Sequence, residues 1–320
     1  MDAEDLAQRV ERGDRAALAR LVTLVESRRG IDRATAARIA QGLKREGVAH
    51  RIGVSGPPGA GKSTLIETLG MAMTEAGHRV AVLAVDPSSR RTGGSLLGDQ
   101  ARMPRLSQCA SAFVRPTASG ATLGGVHART AEVVEVLEAV GFDRILVETV
   151  GVGQSELEVL SAVDTLLLLA IPGSGDELQG IKRGIVEAAD LVWVNKSDGE
   201  TVTLAQTAQR QLLAALQLQR PRFAGWQVPV LAGSAQLSTG VPALVHALAA
   251  HREHLEVTGQ WSSQRRAQRR ERVLAGAREG AWRAFVADPT RQRALQSALD
   301  AADDEAAVVD ALVASVIGET

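Results

Sequence analysis

The sequence is poor in cysteine and in aromatic residues. Its 320 residues include one cysteine, Cys109, four Phe, four Trp and no Tyr. A single cysteine excludes a disulfide within the chain and a metal cluster held by thiolates. Because aromatic side chains are scarce, the core has to be built from Leu, Val, Ile and Ala. The apolar share of 45% is enough for a sizeable core of that kind.

An excess of positive charge and a long apolar run are also missing. The formal net charge is −1, so we expect no nucleic-acid partner. The four arginines between positions 265 and 270 are typical of a solvated helix face. The most apolar run, residues 165–172, is too short to span a bilayer. The acid-rich start, residues 1–14, lacks the apolar segment of a secretory signal. These features predict a cytoplasmic protein without a membrane partner.

The hydrophobic pattern divides the chain into three parts. Residues 1–47 have apolar residues at helical spacing, over 4–28 and 34–46, which predicts an N-terminal helical extension. In residues 48–250, short apolar runs alternate with helical stretches, which predicts an α/β domain with a mostly parallel sheet covered by helices. Residues 251–320 predict a helical dimerisation element. The strand-like runs are residues 51–56, 79–86, 144–151, 165–172, 191–196 and 228–235.

The segment GPPGAGKST, residues 56–64, fits the P-loop pattern G-x-x-x-x-G-K-[ST] between a strand and a helix. Its glycines let backbone N–H groups turn toward phosphate oxygens, and the helix start adds partial positive charge. We expect Lys62 to reach the β- and γ-phosphates and the Ser63 hydroxyl to bind Mg²⁺. The predicted phosphate-binding residues are Gly56, Pro57, Pro58, Gly59, Ala60, Gly61, Lys62, Ser63 and Thr64.

The segment NKSD, residues 195–198, follows a strand and indicates a guanine base. The Asp198 carboxylate can accept from guanine N1–H and from its exocyclic amine, whereas adenine would leave it unpaired. Lys196 can lie over the base, and Asn195 can brace the loop. One strand later, backbone N–H groups of residues 233–235 could reach guanine O6. The predicted base-binding residues are Asn195, Lys196, Asp198, Gly233, Ser234 and Ala235, and they favour GTP over ATP.

Candidate residues for hydrolysis follow another predicted strand. Glu148 stands where P-loop NTPases hold Mg²⁺ through a carboxylate, and Gly151 where an N–H group senses the γ-phosphate. Gln154 either orients the attacking water or is an ordinary polar residue of a switch loop.

Two acids and a second glycine-rich loop complete the candidates. Asp86 ends a predicted strand and Asp99 lies in its glycine-rich continuation, so both are candidates for the Mg²⁺ shell or for the attacking water. The loop at 171–184, which contains Lys182, is typical of a further switch that carries the nucleotide state to a partner.

Taken together, the segments GPPGAGKST, ETVGVGQSE, GDELQGIKRGI and NKSDG resemble the methylmalonyl-CoA mutase-associated GTPase family of the MeaB/ArgK type. The resemblance implies a metallochaperone-type GTPase of the SIMIBI class that forms homodimers through C-terminal helices. It also implies binding to a cobalamin-dependent acyl-CoA mutase, gating of adenosylcobalamin loading and protection of the mutase. GTP hydrolysis to GDP would be slow alone and stimulated by the mutase.

The family roles carry over onto matching positions. They imply phosphate and Mg²⁺ contacts for Lys62 and Ser63, and a guanine contact for Asp198. For metal and hydrolysis they imply Asp86, Asp99 and Glu148, and Lys182 joins the catalytic candidates as a residue of the partner-contacting switch.

Two positions depart from the family pattern. Arg90 stands where members usually have Pro, and Gly120 where many have Arg. Both departures concern the switch segments and the fit to the partner, and leave the nucleotide assignment unaffected.

Two other functions compete with this interpretation. One is a P-loop ATPase or kinase linked to arginine and ornithine transport, against which the N-K-x-D segment argues. The other is a nickel-insertion GTPase of the same class. That function needs His or Cys ligands, and one Cys with six scattered His argues against it.

Overall fold

The structure is a computed structural model that describes residues 3–27, 29–43, 48–86, 103–118, 125–149, 159–173, 183–301, 306 and 308–309. Its centre is a seven-stranded sheet in the order β3-β2-β4-β1-β5-β6-β7, and all six strand pairs in the described residues are parallel. The strands are β1 (His50–Ser55), β2 (Val80–Asp86), β3 (Ala112–Ala118), β4 (Arg144–Glu148), β5 (Thr165–Ala170), β6 (Leu191–Val194) and β7 (Val230–Ala232).

Helices precede, connect and follow these strands. They are α1 (Ala3–Glu11), α2 (Arg15–Glu26), α3 (Gly30–Leu43), α4 (Lys62–Glu75), α5 (Pro104–Gln108), α6 (Gly125–Val140), α7 (Arg183–Ala188), α8 (Val202–Gln217), α9 (Val241–Val257), α10 (Gln260–Val286) and α11 (Pro289–Ala301). Short 3₁₀ turns cover Val159–Ser161 and Gly199–Thr201.

The predicted α/β class is confirmed, and so are the six predicted strands, most of which end one to three residues earlier than predicted. Strand β3 was missed because its sequence, AFVRPTA, contains Arg115 and Pro116. Proline cannot donate a ladder hydrogen bond and is therefore confined to edge strands, and β3 lies at the edge of the sheet.

The N-terminal helical extension is confirmed, but its first predicted helix is two helices. The break comes at Gly13, whose φ of 83° is a left-handed conformation that glycine adopts readily. Asp14 then caps α2, because its carboxylate accepts from Ala16 N at 2.8 Å and from Ala17 N at 3.1 Å.

Both faces of the sheet are covered by helices. One face packs against α4, α5 and α9, through strand residues that include Val54 and Trp193. The other face packs against a layer that includes α2, α6, α7 and α8, through strand residues that include Val147 and Val194, and α1 and α3 join the same hydrophobic core. Adjacent residues of β6 therefore belong to opposite layers, as the alternation of side chains along a strand requires.

The chain divides into two compact units, Met1–Gln268 and Arg269–Thr320. The first unit contains the sheet, helices α1 to α9 and the start of α10. In the second unit the rings of Trp282 and Phe285 stack with centroids 5.8 Å apart. The domain boundaries predicted at 47/48 and 250/251 stay predictions. Within the described residues, every helix is too short or too polar to cross a membrane.

Arg265, near the start of α10, forms ion pairs with two carboxylates, those of Asp164 and Glu138. Its guanidinium donates from Nε at 2.9 Å and from Nη2 at 2.7 Å to the fully buried carboxylate of Asp164. Its Nη1 donates to Glu138 at 2.8 Å. The interpretation of this arginine stretch as a solvated face is therefore wrong for Arg265, because the buried carboxylates require a charged, hydrogen-bonded partner. Arg269 and Arg270 are exposed, as expected.

Buried titratable groups lie near the amino ends of the central strands. The Thr165 hydroxyl is 2.7 Å from both His50 Nε2 and His251 Nδ1. Burial lowers the pKa of His251 to about 3, helped by the charge of Arg222, and burial lowers the pKa of His50 well below its usual value. Burial raises the pKa of Asp190 to about 6, although Arg222 donates to its carboxylate at 3.0 Å.

The two histidines and Asp190 make the free energy of unfolding depend on pH in opposite directions. Below a pH of about 6.5 the unfolded chain protonates histidines that stay neutral in the folded protein, so their contribution is lost as the pH falls. Asp190 partly offsets this loss, because between about pH 6 and about pH 4 the folded carboxyl binds a proton that the unfolded one releases.

We therefore expect Asp190→Asn to remove the stabilisation that protonation of Asp190 provides as the pH falls. Its free energy of unfolding should fall more steeply than that of the wild type as the pH is lowered from about 6 to about 5, by about 1 kcal/mol over this interval. Urea unfolding at several pH values measures both slopes. Glu253→Gln, at an exposed carboxylate, is the control and should leave the slope unchanged. Equal slopes for Asp190→Asn and the wild type would contradict the assignment.

Candidate nucleotide-binding site

The P-loop lies at the carboxyl end of β1, between its neighbours β4 and β5. Gly56, Gly59 and Gly61 have φ angles of 151°, 76° and 85°, which L side chains rarely adopt. A Cβ atom at Gly56 would lie 2.7 Å from Leu169 O, and one at Gly61 would lie 2.5 Å from Asn195 Nδ2. At Gly56 and Gly61 both the backbone conformation and the available space therefore require glycine, whereas at Gly59 the backbone conformation alone favours it. Helix α4 starts at Lys62.

Lys62 is the first residue of α4, and its side chain folds back over the loop. Its Nζ atom donates to Gly56 O at 2.8 Å and to Pro57 O at 3.1 Å. The ammonium is thus held against the backbone that would surround the phosphates. From there it can neutralise negative charge on phosphoryl oxygens.

The structure brings together two of the predicted metal ligands. The Ser63 hydroxyl donates to a Glu148 carboxylate oxygen at 2.9 Å. A hydroxyl and a carboxylate are hard oxygen ligands, which suit Mg²⁺. The described residues contain no cluster of three or more His, Cys, Asp or Glu side chains placed to hold a metal. Mg²⁺ is usually held by one or two carboxylates, phosphate oxygens and water.

Asp86 lies at the same edge of the sheet. Strand β2 pairs with β4, and Ala84 is the register partner of Glu148. Asp86 is two residues beyond Ala84 on β2, so its backbone lies just past Glu148 at the carboxyl ends of the strands. The remaining switch candidates, Asp99, Gly151, Gln154 and Lys182, lie outside the described residues, as do the departures Arg90 and Gly120.

Asn195 connects the P-loop with the predicted base loop. It is buried, and its Nδ2 atom donates to Ala60 O at 2.7 Å. Its Oδ1 atom accepts from Ala235 N at 3.0 Å and from Trp193 Nε1 at 3.2 Å. The predicted brace is therefore a set of three hydrogen bonds that joins residues far apart in sequence.

The predicted base-reading side chains are accessible. Lys196 is exposed and has a φ angle of 56°, and Asp198 is half-buried. Within the described part of the chain, the Asp198 carboxylate makes no hydrogen bond, whereas its backbone oxygen accepts from the Thr201 hydroxyl at 2.7 Å. The carboxylate can therefore pair with a ligand.

The N–H groups of residues 233–235 already donate within the protein. Gly233 N donates to Val194 O, Ser234 N to Thr239 O and Ala235 N to Asn195. In this structure they define the shape of the loop, and their contact with guanine O6 stays a prediction.

Sequence reasoning missed two residues that support the site. The Thr68 hydroxyl, on α4, donates to Ala235 O at 2.9 Å. Trp193 donates to Asn195. The spacing of Trp193 and Asn195, two apart at a strand end, is the signal that would have indicated a shared face.

Comparison with known proteins identifies the family. The family model described as "Methylmalonyl Co-A mutase-associated GTPase MeaB" matches residues 18–290. The chain belongs to this family of GTPases. The resemblance stated from the sequence segments is therefore confirmed, and with it the P-loop class.

Curated relatives agree with the family assignment. A protein of Mycobacterium tuberculosis (strain ATCC 25618 / H37Rv) named "Probable GTPase" is 52% identical over 83% of this chain and 79% of its own length. The GTPase ArgK of Escherichia coli K12 is 43% identical over 82% and 79%. The mouse protein named "Methylmalonic aciduria type A homolog, mitochondrial" is 44% identical over 80% of this chain and 65% of its own.

A solved structure shares the fold over nearly the whole chain. The crystal structure of a LAO/AO transport system kinase matches with a TM-score of 0.77 and 32% identity, covering 99% of this chain and 98% of the other.

We expect Asp198→Asn to change the base preference. The substitution replaces the acceptor facing guanine N1–H by a donor, so GTP affinity should fall roughly 100-fold or more, while xanthosine triphosphate should bind better than it binds the wild type. Titration of both nucleotides measures the change. Glu200→Gln, at an exposed acid two residues further on, is the matched control. An unchanged GTP affinity of Asp198→Asn would rule out the assigned role.

Proposed function

We propose that this MeaB-family protein binds GTP together with Mg²⁺ and hydrolyses it to GDP and phosphate. The observation that carries the proposal is the hydrogen bond from the Asn195 side chain to Ala60 O, which joins the P-loop to the segment that contains Asp198. Phosphate-binding and base-reading parts are thereby held in one site. The hydrogen bond between Ser63 and Glu148 supports a metal position beside it.

Each residue has a defined task in this reaction. The glycines of the P-loop leave room for phosphate oxygens, and Lys62 stabilises the negative charge that develops on them. Ser63 and Glu148, together with Asp86 and Asp99, would hold Mg²⁺, which when bound neutralises charge on the β- and γ-phosphates.

The attacking water needs a group that orients it and a group that senses the γ-phosphate. We assign these tasks to Gln154 and to the N–H group of Gly151. Both assignments follow from their positions after β4 in the sequence.

We further propose that the GTPase acts as a metallochaperone for a cobalamin-dependent acyl-CoA mutase, most simply methylmalonyl-CoA mutase. The family description names methylmalonyl-CoA mutase, and the name of the mouse relative refers to methylmalonic aciduria. In this role GTP hydrolysis gates adenosylcobalamin loading and protects the mutase. The loop at 171–184, with Lys182, is the segment assigned to contact the mutase.

The C-terminal helices are the proposed homodimer element. In the second unit, α10 exposes Val273 at 63% and Trp282 at 53%, apolar surface that a second copy of the chain would cover in a dimer. We expect sedimentation of the full chain to give the mass of two chains. The mass of one chain at all concentrations would contradict the proposal.

The first experiment is GTP turnover by the purified protein with and without purified methylmalonyl-CoA mutase. We expect slow turnover alone and a rise of at least about tenfold, or about 1.4 kcal/mol in activation free energy, when the mutase is added. Lys62→Ala should abolish turnover in both conditions, because it removes charge stabilisation at the phosphates.

The other outcomes separate the alternatives. GTP turnover without stimulation would keep the GTPase and refute the methylmalonyl-CoA mutase as partner. Tight ATP binding without GTP binding would refute the proposed function and favour the ATPase or kinase linked to arginine and ornithine transport. Retained turnover in Lys62→Ala would refute the role of that lysine.

A further inference from the structure

Trp193 lies in the centre of β6, with no exposed surface, and points into the core layer formed with α4 and α9. Its one polar atom, Nε1, donates to Asn195 Oδ1 at 3.2 Å. A buried indole N–H group needs an acceptor, and here the acceptor belongs to the side chain that braces the nucleotide loops. Because side chains alternate along a strand, residues 193 and 195 lie on the same face.

The two donors that meet at Asn195 Oδ1 determine which way the amide points. An asparagine amide can rotate by half a turn and exchange its oxygen with its nitrogen. Trp193 Nε1 and Ala235 N can only donate, so both require the oxygen on their side. The nitrogen must then face Ala60 O in the P-loop, at 2.7 Å. Without the indole N–H, Ala235 N alone would select this orientation.

The indole ring also fills the space beside the base loop. A Cβ atom at Gly233 would lie 2.3 Å from Trp193 Cη2, and one at Gly240 would lie 3.0 Å from the same atom. The two glycines enclose the segment that contains Ser234 and Ala235. The ring therefore supports this segment, while its N–H group orients the amide that holds the P-loop.

We infer that Trp193 is a positioning residue for guanine nucleotides. Acting through Asn195, it holds the P-loop and the loop at 233–235 at a fixed distance, so that the phosphates and the base are bound together. The inference rests on the proposed GTP binding. It adds a fully buried residue that acts through the side chain of Asn195.

The test is a double-mutant cycle on GTP affinity with Trp193→Phe and Asn195→Ala. Trp193→Phe keeps most of the ring and removes the N–H donor, so we expect GTP affinity to fall about five- to tenfold. Because both residues act through one amide, the double variant should bind GTP no more weakly than Asn195→Ala alone.

Trp226→Phe is the matched control for loss of a partly buried indole donor. Trp226 Nε1 donates to Asp190 O at 2.8 Å, just before the amino end of β6 and away from the nucleotide loops. Its replacement should leave GTP affinity unchanged. In the cycle with Asn195→Ala it should show no coupling.

Two results would overturn the inference. One is GTP binding by Trp193→Phe as tight as in the wild type, and the other is an additive cycle. A wild type that binds no GTP would instead overturn the proposed function, so the two failures are distinguishable.

If Trp193→Phe does not fold, the wild type itself supplies the test. Its indole N–H resonances can be recorded with and without GDP, and that of Trp193 assigned by elimination with Trp226→Phe, Trp261→Phe and Trp282→Phe. We expect the Trp193 N–H to exchange with solvent about tenfold more slowly when GDP is bound, since the nucleotide stabilises the amide in place. An unchanged exchange rate would overturn the inference.

Discussion

The candidate nucleotide site depends on the buried amide of Asn195. Its hydrogen bonds reach Ala60 and Ala235, which are 135 and 40 residues away in sequence. Neither loop is held by regular secondary structure over its whole length, so the amide joins them directly, and the Thr68 hydroxyl adds a second link from α4 to Ala235. The close approach of this amide to Gly61 also explains why the P-loop cannot have a side chain there.

The sheet separates this site from the polar groups that stabilise the fold. Helices cover both faces, so polar side chains concentrate at the two ends of the strands. The carboxyl ends supply Ser63, Glu148 and Asn195 around the P-loop. The amino ends hold Arg265 with Asp164 and a buried pair of histidines. At the amino ends, the ion pair of Arg265 with Asp164 holds the start of α10.

Local patterns predicted the parts of the fold that local physics determines. The P-loop, the N-K-x-D segment and six strands are each recognisable within a few residues, because glycine conformations and apolar alternation act at short range. Strand β3 was missed because Pro116 is acceptable only at an edge, and the position of a strand in the sheet is not a local property.

The supporting contacts were missed for a related reason. Arg265 has the spacing of a solvated helix, and its burial follows from Asp164, 101 residues earlier in the sequence. The hydrogen bond of Thr68 to Ala235 likewise depends on how α4 packs against the loop that follows β7. No spacing rule contains that information, since it arises only when the sheet is assembled.

The scarcity of aromatic residues has a practical consequence once Trp193 is located. Because the chain has no tyrosine, its near-ultraviolet absorption and emission come almost entirely from four tryptophans. Energy transfer from tyrosine does not contribute to the tryptophan emission. Trp193 is fully enclosed, Trp226 and Trp261 lie together near His251 and His50, and Trp282 is half-exposed in the second unit. The enclosed indole should emit at the shortest wavelength and resist aqueous quenchers. The chain thus contains an intrinsic fluorophore beside its nucleotide loops.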